Sequence, residues 1–151
     1  MTKSLKARAV DLLSRREYSR RELERRLAPF AESAEQLASL LDELAANGWQ
    51  SDHRFAEQFA DVKGRKYGSR RIAQAMREKG LDREAIETAL AQQDDTAVAL
   101  SLWQRKFGTP PATPQDKMKQ MRFLATRGFP MDVIRRVLQG AVDEDITDAE
   151  D

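Results

Sequence analysis

Ser69-Arg70-Arg71-Ile72-Ala73-Gln74-Ala75-Met76-Arg77-Glu78-Lys79-Gly80-Leu81-Asp82-Arg83-Glu84-Ala85-Ile86-Glu87-Thr88-Ala89-Leu90 is the stretch that decides the fold. Ile72 and Met76 lie four residues apart, as do Ile86 and Leu90, so each pair shares one helix face. Ser69 opens the first helix and Gly80 closes it, because glycine tolerates the left-handed conformation after a helix C-terminus. Asp82 is placed to cap the second.

The same spacing recurs on both sides. Leu23, Leu27, Leu37 and Leu41 are separated by four, ten and four residues, as are Ile72, Met76, Ile86 and Leu90, 49 residues later. Leu124, Ile134 and Leu138 repeat the last three positions 48 residues further on. Gly128-Phe129 answers Gly80-Leu81. The first position of the last copy holds Gln120 where an apolar residue is expected, with Met121 beside it as a substitute.

Outward from the repeat, further helices are expected. The first spans about Ser4 to Arg16, with Leu5, Ala9, Leu12 and Leu13 on one face. Ser19 and Glu22 form a capping box, and Pro29 follows or ends that helix. A helix from Ser33 is stopped by Asn47-Gly48. Asp52 caps a helix bearing Phe55, Phe59 and Val62; Asp95 precedes Val98, Leu102 and Trp103. Thr113-Pro114 opens a helix with a cap and a proline at its first position. A short ninth helix carries Val133, Ile134, Val137 and Leu138 and ends at Gly140. No segment alternates like a strand.

These signals predict an all-α protein of three tandem three-helix modules, at 1–50, 51–93 and 94–140, stacked as an elongated, curved helical repeat. Residues 141–151 read as an acidic, disordered tail. The net charge of +1 conceals that tail: six acids lie between Asp143 and Asp151, and without them the net becomes +7. A basic body suits an anionic partner.

The basic residues cluster in register. Arg65-Lys66-Tyr67-Gly68 is echoed by Arg105-Lys106-Phe107-Gly108, and more loosely by Arg15-Arg16-Glu17-Tyr18-Ser19. Ser19-Arg20-Arg21 and Ser69-Arg70-Arg71 follow the first and second copies. One reading is a solvated face. The other is a row of cations for a linear anionic partner, with Arg20, Arg21, Arg25, Arg65, Lys66, Arg70, Arg71, Arg105 and Lys106 contacting phosphate or carboxylate. Tyr18, Tyr67 and Phe107 are expected to plug turns between helices, and Trp49 and Trp103 to be core.

Several chemistries lack their residues. There is no cysteine and one histidine, His53, so no ordinary zinc site is expected. No phosphate-binding glycine loop and no catalytic carboxylate pair stands out. An enzyme and a cofactor are therefore not expected. Met1 to Val10 lacks the pattern of a secretion signal and no long apolar run follows, so a cytoplasmic protein without a membrane partner is expected.

Gly48-Trp49-Gln50-Ser51-Asp52-His53-Arg54-Phe55-Ala56, Gly68-Ser69-Arg70-Arg71-Ile72 and Met76-Arg77-Glu78-Lys79-Gly80 resemble the RecX family of bacterial recombination regulators. The resemblance covers about residues 5 to 140 and is most specific in the central module. His53 and Met76 stand where the family usually has Glu and Leu. The resemblance implies a negative regulator of recombination and of the SOS response; a monomer that needs no cofactor is expected. Such a protein binds the groove of the RecA–DNA filament and inhibits RecA ATPase, strand exchange and coprotease activity. The alternative is a general helical protein that binds single- or double-stranded DNA without sequence preference.

Overall fold

A computed structural model describes the backbone of residues 3–150 and the side chains of residues 3–140. The fold is all-α. In chain order the helices are α1 (Leu5–Leu13), α2 (Arg20–Leu27), a 3-10 turn (Ala28–Phe30), α3 (Ala34–Ala46), α4 (Asp52–Lys63), α5 (Ser69–Glu78), α6 (Arg83–Leu90), α7 (Asp95–Lys106), α8 (Pro114–Thr126) and α9 (Met131–Glu150). No strand occurs among the described residues.

Most starts and stops follow local chemistry. Ser19 accepts from the Glu22 N–H while the Glu22 carboxylate accepts from the Ser19 N–H, which completes the capping box. Ser33, Asp82 and Thr113 each accept from the N–H three residues on, and Pro114 occupies the first position of α8.

Four local expectations are corrected. Asp52 does not cap α4: Ser51 accepts from the Arg54 N–H at 3.1 Å, and the Asp52 carboxylate reaches back to the Arg20 N–H at 2.8 Å. Val62 is 61% exposed, because α4 buries Phe55, Ala56 and Ala60 instead. Trp49 is 51% exposed, not core; the chain reverses at Gly48 and the inward position passes to Gln50. Gly140 does not end α9, which continues to Glu150. Glycine tolerates a helix interior at a modest entropic cost, so it permits a stop without forcing one. Beyond residue 140, the expected acidic tail falls outside the residues whose side chains are described.

The chain forms two compact units. One comprises the chain up to Phe59 together with Ala75–Ala91; the other comprises Ala60–Gln74 and the chain from Gln92 onward. In the first unit Leu23, Leu27, Leu41 and Leu44 are almost completely buried, in a cluster with Leu5, Ala9 and Tyr18. In the second, Trp103, Leu124, Phe129, Ile134 and Val137 form the centre.

Gln120 resolves the failed repeat position. It is 5% exposed, its Oε1 accepts from the Trp103 indole N–H at 2.8 Å, and its Nε2 donates to the Thr109 carbonyl at 3.2 Å. A buried polar group is tolerated when its donors and acceptors are paired, as these are. Met121 is partly buried beside it, against the same core.

Candidate basic interface

The two units repeat one set of braces around their basic turns. In the first, the Ser19 hydroxyl donates to the Lys79 carbonyl at 2.9 Å; in the second, the Gly68 N–H donates to the Arg127 carbonyl at 2.8 Å. Asp52 accepts from the Arg20 N–H, and Asp95 from the Ser69 N–H at 2.9 Å and from the Ser69 hydroxyl. Gln50 Nε2 donates to the Tyr18 carbonyl at 3.2 Å, and Gln93 Nε2 to the Tyr67 carbonyl at 3.4 Å. Each brace satisfies a backbone group at a turn or helix start that would otherwise need water. The expected result of Asp95→Ala is a loss of about 1 kcal/mol, read by urea denaturation, because two donors at the start of α5 lose their acceptor.

The first unit fixes its cations unequally. The Arg20 guanidinium pairs with Asp42 at 2.7 Å. The Arg21 stem packs against Gly80, whose missing Cβ makes room for it. Arg25 is exposed and has no ion pair among the described residues. Burial of Glu22 would raise its pKa, but the Ser19 N–H, Lys79 and Arg16 outweigh that and hold it below the usual 4.5.

A depressed carboxyl pKa contributes stability that is present above the unfolded-state pKa and is lost as pH falls through the folded one. The stability gap between wild type and Glu22→Gln should therefore be widest at neutral pH and narrow below the usual glutamate range. Urea midpoints from pH 7 to 3 check this; a gap that does not change with pH would refute it.

The second unit gathers several candidate residues into one groove of about 860 Å3. Arg65 and Lys66 come from the turn after α4, Arg105 from the last turn of α7, and Arg127 from the end of α8. Tyr67, Val98 and Leu102 supply the less polar wall. Among the described residues, no Asp or Glu lines it. Arg65 and Lys66 are exposed and have no ion pair among the described residues. The Arg105 guanidinium lies 3.5 Å from the Ser101 hydroxyl.

Arg70 and Lys106 are exposed but do not line the groove. Arg71 is committed to the fold: it donates to the Thr126 carbonyl at 3.2 Å and lies 4.1 Å from the centre of the Tyr67 ring. Tyr18 is buried, Tyr67 half-buried, and Phe107 half-buried in edge contact with Phe123, so all three rings fill turns.

Sequence reasoning missed Arg127, which lies 5.8 Å from the Tyr67 ring centre and 5.1 Å from that of Phe123. The signal was present: Arg127-Gly128-Phe129 echoes Lys79-Gly80-Leu81, and Lys79 likewise sits over Phe55 and Phe59.

This arrangement can be set beside known proteins. Residues 51–90 match the family model described as RecX, second three-helix domain, and residues 93–138 match RecX, third three-helix domain. The regulatory protein RecX of Chromobacterium violaceum is 62% identical over 143 residues, which span 95% of this chain and 94% of that one. The chain belongs to the RecX family. The RecX of Neisseria meningitidis serogroup A is 45% identical over 147 residues, 97% of this chain and 96% of its own length.

The crystal structure of RecX from Lactobacillus salivarius superposes with a TM-score of 0.80 at 20% identity, covering 91% of this chain and 94% of that one. A second RecX crystal structure gives 0.73 at 22% identity, covering 88% and 72%. At such identity these structures establish the fold. The curated RecX relatives are named as regulatory proteins, not as enzymes. Among the described residues, no helix is long and apolar enough to cross a membrane.

Proposed function

We propose that this protein is a cytoplasmic negative regulator of recombination and of the SOS response, which binds the groove of the RecA–DNA filament and inhibits RecA. Membership of the RecX family along nearly the whole chain carries this reading. The modules at 1–50, 51–93 and 94–140 each bring cations toward the filament. Arg21, Arg25, Arg65, Lys66, Arg70, Arg105 and Lys106 are the contact residues, since among the described residues none of them forms an ion pair or donates to a distant backbone carbonyl, as Arg20 and Arg71 do. Arg20 and Arg71 position the turns beside them.

No chemistry is asked of the bound protein. One molecule touching several subunits opposes their addition or movement, and nucleotide hydrolysis belongs to RecA. The test is RecA ATPase on single-stranded DNA with increasing amounts of this protein. Arg65→Glu with Arg70→Glu should raise the concentration needed for half-inhibition at least tenfold while helicity is unchanged. Arg71 is left intact because its loss would disturb α8. Full inhibition by that variant would remove these residues from the interface.

The competing reading is sequence-independent DNA binding without a recombinase. Excess competitor DNA separates the two: inhibition that survives it favours filament binding, and inhibition that vanishes favours DNA alone. If about four phosphate contacts are made, affinity should fall roughly a hundredfold between 50 and 200 mM salt.

A further inference from the structure

The groove between the 64–68 turn and α7 differs from what a phosphate chain requires. Its rim is cationic, with Arg65, Lys66, Arg105 and Arg127, and carries no acid among the described residues. Its wall is not: Val98 and Leu102, one helical turn apart on α7, present half-buried aliphatic side chains between the cations. Aliphatic groups offer a phosphate no donor. A base would need a free aromatic face. The groove's aromatic ring, Tyr67, already carries the Arg71 guanidinium at 4.1 Å.

Carboxylates flanking an apolar stripe match both the rim and the wall. A helix with apolar residues three and four apart would lay that stripe along Val98 and Leu102 and set its Asp or Glu against Arg65 and Arg105. The geometry points to this groove as the docking site of an acidic amphipathic helix of a protein partner. This rests on the filament reading, under which the helix belongs to a RecA subunit and the phosphate contacts fall to cations outside the groove, such as Arg70 and Lys106.

Ser101 is exposed on the groove-facing side of α7, so a photo-crosslinking amino acid there probes the occupant with little disturbance. The full chain carrying it is mixed with RecA filaments on end-labelled single-stranded DNA, sedimented and irradiated. The expected adduct is with polypeptide, at a segment with acidic and apolar residues at helical spacing. Adding Arg105→Glu should lower its yield about tenfold without lowering helicity.

An adduct carrying the DNA label would overturn the proposal while leaving the filament reading in place. So would the absence of any adduct from a chain that sediments with the filament. Failure to sediment at all would remove the filament reading itself, and this inference with it.

Discussion

Gly128→Ala is expected to destabilise the protein by about 3–4 kcal/mol. Gly128 has φ +94°, a region that costs a residue with a side chain about 1–2 kcal/mol. A Cβ built there would lie 2.3 Å from Arg71 Cβ and 2.7 Å from the Arg71 amide nitrogen. That neighbour is the backbone of α5 and cannot swing aside, so an overpacking cost of about 1–3 kcal/mol is added. The shift would also pull on the 2.8 Å bond from the Gly68 N–H to the Arg127 carbonyl.

Gly80→Ala should cost less. Its φ is +83°, but the atoms it meets, at 2.7 to 3.0 Å, belong to the Arg21 side chain and not to backbone. Gly140→Ala is the control: it has open space within α9 and should stabilise by about 0.5–1 kcal/mol. Urea denaturation with an unchanged m-value measures all three. A loss below 1 kcal/mol for Gly128→Ala would refute the close approach.

Gln120→Leu is expected to cost about 2–3 kcal/mol, although it places an apolar residue where the repeat calls for one. The buried Trp103 indole N–H would lose its acceptor, and the Thr109 carbonyl its donor. An unpaired buried donor costs about 1–3 kcal/mol. Trp103→Phe in the Gln120→Leu background should recover part of that loss, since the orphaned N–H is removed with the indole. Additive losses in this double-mutant cycle would show that the pair is not coupled.

How far the residues themselves could be read follows from the range of each interaction. Caps and helix stops act over three or four residues. Ser19 with Glu22, Ser33, Asp82 and Thr113-Pro114 could therefore be placed without coordinates. The repeat, at spacings of 49 and then 48 residues, marked the buried positions Leu23, Leu27, Ile72, Met76, Leu124 and Ile134 for the same reason: helix periodicity is local.

The misses came from contacts at long range. Asp52 looks like a cap for its own helix, but its carboxylate serves Arg20, 32 residues back. Arg71 looks like Arg70 and both are exposed, yet Arg71 donates to the Thr126 carbonyl, 55 residues on, while Arg70 has no partner among the described residues. Of the candidate interface, the sequence supplied which residues are cationic. The pairing of Arg20 with Asp42 and the addition of Arg127 to the groove needed the structure.

The helical class, the repeat and the basic turns were determined by the sequence alone, because spacing and capping chemistry belong to neighbouring residues. Which charges stay available to a partner was decided only by tertiary structure. An arginine's role depends on whether a carboxylate, a carbonyl or a ring from a distant segment reaches it first.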